Sequence, residues 1–362
     1  MWKLSAAPSA EAQPIPLSFH RSESASTLRS VINHRLDHMP ALSTAAPHLA
    51  VDVLPDRDHD GKWLLVLTWH HALVDGIGIN LVIEELAEKS ASTKRQSFGD
   101  DPDISQLGGY AELGRRTDHA VKFIRKIAGK VSCCGDPGAP AGDQQFRVVE
   151  FDEATTERVD SRLKELGGEL VMSPILLAVV VRAHAKIWRA RGQENPIALA
   201  LTPMQVASPA KRPVFRNHIS SAMAAIPATE VDDLESGVGA IQKRLAKFAF
   251  GDLRNGLAAM LEFMRHVPPA LYLCVPRLHF RGRFASFFQS YTGEFAPGVD
   301  TLAGARILNG YNLPSVSSPP GTGMFFSRSR GRFCAVISYR REVVSDTELD
   351  IMEASIKADL LG

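Results

Sequence analysis

His70-His71-Ala72-Leu73-Val74-Asp75-Gly76 is the stretch from which the architecture can be read. Before it, Trp63-Leu64-Leu65-Val66-Leu67-Thr68-Trp69 is a short apolar run of residues that suit a strand. After it, Gly76, Gly78 and Asn80 relax the backbone ahead of a helix carried by Leu81 to Leu86. The histidines therefore end a strand, and Asp75-Gly76 opens a strand-to-helix turn. Successive strand side chains point to opposite faces, so His70 and His71 are poorly placed to grip one ion together. No pair of histidines four residues apart encloses a glutamate, which is the usual helical zinc signature. No metal is expected here. One ring should face a cavity while the other packs, and the cavity-facing imidazole, with an ordinary pKa near neutrality, can take a proton from a hydroxyl, amine or thiol.

On either side of this turn the chain alternates between strand and helix patterns. Ser26 to Met39 predicts a helix with Leu28, Val31, Ile32 and Leu36 on one face, and His48 to Leu54 predicts a strand. Tyr110 to Val131 returns to helical spacing before Cys133 to Gln145 breaks into Gly, Pro and Asp. Beyond that break lie a strand at Phe146 to Phe151, a helix at Glu153 to Leu166, and the most apolar helix, from Ser173-Pro174 to Arg191. Strands follow at Pro196 to Thr202, His218 to Pro227 and Phe287 to Gly293, and helices at Asp232 to Phe250 and Leu253 to Arg265. A hairpin of Thr322 to Ser327 and Arg332 to Tyr339 turns at Arg328 to Gly331, and Ser345-x-x-Glu348 is a capping box for the closing helix. The fold class expected is α/β, with mixed sheets flanked by helices. The expected organisation is a disordered N-terminus over 1–15, a first lobe over 16–107 that carries the histidines, a crossover helix and linker over 108–145, and a second lobe over 146–362.

Bulk composition excludes several classes of function. With 362 residues, 45% hydrophobic and 22% charged, the chain can fill two cores. A net charge of +1 gives no electrostatic reason to expect nucleic acid as a partner. The longest apolar run, Ile175 to Val181, is too short to span a bilayer, and Met1 to Pro16 lacks the apolar segment of a secretion signal. Four cysteines give no disulfide framework, so a cytoplasmic location is expected.

The pattern His-His-x-x-x-Asp-Gly resembles the signature of the CoA-dependent acyltransferase superfamily, which includes chloramphenicol acetyltransferases, condensation domains of nonribosomal peptide synthetases, wax ester synthases and polyketide-associated acyltransferases. The resemblance implies a two-lobed chloramphenicol-acetyltransferase-like fold with an active-site tunnel between lobes. It implies that His71 is the general base, that His70 is structural, that Asp75 holds the loop through an arginine, and that Gly76 keeps the tunnel entry open. Arg21, Arg29, Arg35 and Arg216 are the candidate partners of Asp75. Later patches look like the wax ester synthase branch. Arg216-Asn217-His218-Ile219-Ser220, leading to Ile226-Pro227, places Asn217 and His218 as substrate-binding candidates. Phe287 to Gly293 is similar to the strand opposite the histidine, where Ser290 and Thr292 share a face and can donate to an oxyanion, with Tyr291 as a further substrate-binding candidate. Relatives normally carry a longer stretch before the paired histidines than the sixty-nine residues found here. A shortened variant, or one completed by another chain, is therefore expected.

The resemblance implies acyl transfer from an acyl-CoA or a phosphopantetheine-linked acyl carrier protein to a small-molecule alcohol or amine, with no cofactor bound permanently. Three basic groups, Arg115 to Lys130, Arg277 to Arg283 and Arg328 to Arg332, are candidate docking points for donor phosphates, and the first could also support peripheral membrane contact. Two other functions fit the same residues. One is a noncatalytic module that recruits a carrier protein or partner enzyme, and the other is a tunnel cyclase acting on a hydrophobic intermediate. No Gly-x-Ser-x-Gly elbow or phosphate loop competes with these.

Overall fold

The computed structural model describes residues 15–20, 28–38, 48–56, 60–87, 109–127, 129–167, 172–205, 214–215, 217, 219–264, 268 and 282–362. In chain order the elements begin with β1 (Leu17–Phe19), α1 (Leu28–His38), β2 (Leu49–Pro55), β3 (Trp63–Trp69), α2 (Gly76–Leu86) and α3 (Gly109–Ile127). The chain continues through β4 (Gln144–Glu150), α4 (Glu153–Glu165), α5 (Met172–Ala190), β5 (Ile197–Gln205), β6 (Ile219–Pro227), α6 (Leu234–Phe250) and α7 (Asp252–Met264). It closes with β7 (Phe287–Glu294), the short pair β8 (Thr301–Leu302) and β9 (Ala305–Arg306), then β10 (Thr322–Ser329), β11 (Arg332–Arg340) and α8 (Asp346–Leu361). Two mixed sheets result, as the sequence leads one to expect.

The first sheet has the order β1-β2-β3, with β1 parallel and β3 antiparallel to β2. Alternation turns Ala50, Asp52 and Leu54 inward, towards the side on which Val31 and Ile32 of α1 are buried. Asp52 is buried and would cost too much unpaired. Arg35 donates to both its oxygens at 2.7 and 2.9 Å, and His20 pairs with it at 2.9 Å. Burial alone would raise the Asp52 pKa, but these hydrogen bonds outweigh it and hold the carboxyl below its ordinary value. The cluster ties β1, β2 and α1 together.

The second sheet has the order β4-β11-β10-β7-β5-β6. Its core helix is α5, whose residues Ile175 to Val181 are all fully buried against β7, β10, β11, α6 and α8. His184 lies in that core with no exposure. Its Nδ1 donates to Val180 O at 2.8 Å, one turn back, and its Nε2 meets the Thr322 hydroxyl at 2.8 Å. The opposite face of the sheet, around Leu199 and Ala222, is covered by α3 and α7. The expected crossover helix thus packs on the second sheet, and it stops at Ile127 rather than Val131, because Gly129, at φ 79°, breaks it. The hairpin turn is also tighter than predicted. Ser329 still pairs with Arg332, leaving Arg330 and Gly331 with φ of 54° and 75°, the double left-handed geometry that suits a twisted two-residue hairpin. The capping box at Ser345 and Glu348 forms as the sequence predicts.

Candidate active site

Strand β3 ends where His70 donates its backbone N–H to His48 O at 3.0 Å, and Leu73 N closes a turn on His70 O at 2.8 Å. The His70 ring stabilises this turn, since its Nδ1 accepts from Ala72 N at 3.3 Å, which leaves Nε2 as the protonated nitrogen of the neutral ring. His70 is half-buried and sits edge-on to His48, with ring centroids 6.5 Å apart. Burial first, and then the neighbouring His48 and His71, push its pKa down. His71 occupies the outer position of the turn and is exposed. This differs from the expectation of a cavity-facing, desolvated His71. The turn from His71 to Leu73 leaves the strand outward, so the burial falls on His70 instead.

The chain then re-enters the molecule. Val74 is buried, and its carbonyl accepts from the Trp69 indole at 3.1 Å. Asp75 is buried as the N-cap of α2, with Oδ1 accepting from Ile77 N at 3.2 Å and Gly78 N at 2.9 Å. Of the arginines considered for Asp75, Arg35 is committed to Asp52 and Arg29 is exposed, while Arg21 and Arg216 lie outside the described residues.

Helix α2 docks on the end of β7 through residues the sequence reading did not assign to the site. Asn80 is buried and uses both ends of its amide there. Nδ2 donates to Glu294 O at 3.2 Å, and Oδ1 accepts from Ala296 N at 3.1 Å. Val74, Ile79 and Ile83 pack around this clamp with Ala296 and Val299. At the start of the helix, a Cβ placed on Gly76 would stand 3.3 Å from Thr292 Cγ2. The paired-histidine turn and the β7 strand are therefore brought together, with only glycine fitting comfortably between them.

On β7, Phe287 faces α5, and so by alternation do Gln289 and Tyr291, whereas Ser290 and Thr292 share the face towards α2. Both are half-buried. Thr292 Oγ1 donates to Phe326 O and accepts from Asn312 Nδ2, each at 3.4 Å. Asn312 is thus a third polar group on this face, one that the sequence reading passed over inside an apolar and proline-bounded loop. Tyr291 is a correction to the expected set. It packs against the helical core on the far face, beside Arg328. Asn217 is exposed just before β6, and His218 lies outside the described residues.

The hairpin arginines expected to meet donor phosphates are already engaged. Arg328 pairs with Asp160, Arg330 with Asp300, and Arg332 donates to Leu308 O. Arg283 pairs with Asp136, and on α3 Glu112 holds Arg115 and Arg116. Arg277 and Arg281 lie outside the described residues. Among the described residues no group of histidine, cysteine, aspartate and glutamate has the geometry to hold a metal. Burial pushes the Cys133 and Cys134 thiols up to about 12 and about 11, so both stay protonated.

The two mixed sheets and their helical layers define the fold shared by condensation domains and CoA-dependent acyltransferases. Among solved structures, the chain is similar to the TRI3 trichothecene 15-O-acetyltransferase of Fusarium sporotrichioides, with a TM-score of 0.62 at 14% identity, over 95% of this chain and 76% of that one. It is similar to the epimerization domain of tyrocidine synthetase B, with a TM-score of 0.57 at 14% identity, over 96% of this chain and 79% of that one. It also matches polyketide synthase associated protein 5 of Mycobacterium tuberculosis, with a TM-score of 0.53 at 14% identity, over 90% and 79%. At such identities the likeness establishes the fold. No protein-family model matches the chain, and no curated protein is a significant match.

Proposed function

We propose that the chain is an acyltransferase that moves an acyl group from a CoA or carrier-protein thioester to a small alcohol or amine, with His71 as general base. The observation that carries this reading is the close approach of Gly76 to Thr292, which sets the paired-histidine turn beside the hydroxyls of β7. His71 takes the acceptor proton as the acceptor oxygen or nitrogen attacks the thioester carbonyl. The resulting oxyanion is met by donors on the β7 face, Ser290 or Thr292, with Asn312 adjacent. Collapse breaks the carbon–sulfur bond, and the departing thiolate recovers the proton from His71. No acyl-enzyme forms, and CoA or phosphopantetheine enters as substrate. Among the described residues no helix is long and apolar enough to cross a membrane.

The test is thiol release from a panel of acyl-CoAs and acyl-carrier thioesters, in the presence of alcohols and amines. His71→Ala should lower turnover by ~10²–10⁴-fold, the usual share of a positioned general base. A variant that keeps near-native turnover overturns the assignment.

The exposure of His71 favours a second reading, in which the fold recruits a carrier protein or partner enzyme without chemistry. It expects carrier binding, no product, and the same affinity after His71→Ala.

A further inference from the structure

The register of the first sheet collects apolar side chains on the face away from α1. Leu17 and Phe19 of β1 stand beside Val51 and Val53 of β2, and Val53 stands beside Leu65 of β3, with Trp63 two residues further along. On a sheet, residues paired side by side point the same way, so these six share one surface. No charged or polar side chain from the three strands interrupts it. Phe19 is 71% exposed, Trp63 64% and Leu17 57%. Isolated exposed hydrophobics are ordinary, but a contiguous patch of this kind marks an interaction surface.

We infer that this face is the contact between two copies of the chain, stacked sheet on sheet about a two-fold axis. Three observations favour a second copy over another occupant. The exposed apolar area is roughly 500 Å² per copy, so two copies bury about 1,000 Å², the lower bound for a specific interface. The patch carries no charge to recognise a carrier protein or a peptide, whereas interfaces between identical subunits are the most apolar kind. The net charge of +1 raises no long-range repulsion between copies. An uncharged apolar patch can meet its own copy, as an isologous contact requires, and stacked sheets at ~10 Å interdigitate such side chains. Nothing in this depends on the acyl-transfer reading.

The experiment is sedimentation velocity on the full chain across a concentration series. The wild-type chain should move from the mass of one chain to that of two. Phe19→Glu and Trp63→Glu should stay at the mass of one throughout, with an unchanged circular dichroism spectrum. Phe250→Ser, which alters a side chain 93% exposed elsewhere, should still associate. If the charged variants misfold, hydrogen exchange on the wild-type chain decides, because residues 63–69 should gain protection as concentration rises. A wild-type chain that remains single at every concentration overturns the inference, as does association that survives both charged variants. Co-sedimentation of the single chain with phosphatidylcholine vesicles, lost in Trp63→Glu, would assign the face to lipid and also overturn it.

Discussion

The six-stranded sheet is covered on both faces, by α4, α5, α6 and α8 on one side and by α3, α7 and the α2 clamp on the other. The three-stranded sheet is covered by α1 on one face, while on the other α2 covers the end that carries Leu67 and Trp69 and leaves Phe19 and Trp63 in solvent. The burial patterns reflect this, since β11 is buried at consecutive positions on both its faces and β2 only at alternate ones. What differs is how many helices the chain places beside each sheet. The larger sheet supplies a rigid strand for Ser290 and Thr292. The smaller one ends in the histidine turn, and α2 ties it to the end of β7, with Leu67 and Trp69 of β3 packed into the same cluster. Stability should therefore be concentrated in the second sheet, and the site should respond to the seam.

Deleting a large side chain from each sheet gives the widest separation. Trp188 on α5 is fully buried, so Trp188→Ala should cost ~3–5 kcal/mol by denaturant unfolding. Trp63→Ala, measured in dilute protein so that association plays no part, should stay within about 0.5 kcal/mol. Equal costs would mean that the two sheets are not organised differently.

The next effect comes from His184. Burial lowers its pKa from 6.5 to about 4, so the folded state binds this proton less well than the unfolded chain does. Its contribution is present in full above pH 6.5, is lost as the pH falls from there to about 4, and changes little below that. The loss over that window should be roughly 3 kcal/mol. His184→Gln should flatten this part of the stability profile while lowering it overall. A slope unchanged by the substitution would remove His184 from the account. Asp52 behaves in the same sense at lower pH, because its depressed carboxyl loses stabilisation as it is protonated below its ordinary value.

Sequence alone exposed the strand-turn-helix around the histidines because a run of β-formers, two glycines and a capping aspartate all agree locally. The sheet hairpin and the capping box were legible for the same reason. The clamp was not. Asn80 reads as a backbone-loosening residue because its partners, Glu294 and Ala296, lie more than two hundred positions away. Alternation says that one of His70 and His71 is turned inward, but the outward path of the turn chooses which. Tyr291 is a different kind of miss. The alternation that puts Ser290 and Thr292 on one face already sends Tyr291 to the other, so its assignment to the site followed the resemblance rather than the geometry.

Asn80 tests the seam directly. Asn80→Ala removes two hydrogen bonds and leaves the buried Ala296 amide unpaired, which should cost about 1–3 kcal/mol. Asn80→Asp keeps the acceptor for Ala296 N but sets a buried carboxylate oxygen against Glu294 O, so it should cost at least as much as alanine. Hydrogen exchange at Ala296 should speed up in the alanine variant ahead of global unfolding. Exchange that follows global unfolding alone would show that the clamp does not hold the seam by itself.

The smallest effect is the contact of Gly76 with Thr292. Gly76 begins α2 without a positive φ, so alanine there suits the helix and would by itself stabilise it by up to about 1 kcal/mol. Against this, the new methyl meets Thr292 Cγ2 at 3.3 Å, and Thr292 is held on β7 by its bonds to Phe326 and Asn312. Gly76→Ala alone should therefore show less gain than helix propensity allows. Thr292→Ser removes only the obstructing methyl and keeps the hydroxyl, so adding it to Gly76→Ala should restore the lost part. A double-mutant cycle should return a coupling of about 0.5–1 kcal/mol. A coupling of zero would separate the histidine turn from β7 and withdraw the observation on which the proposed acyl transfer rests.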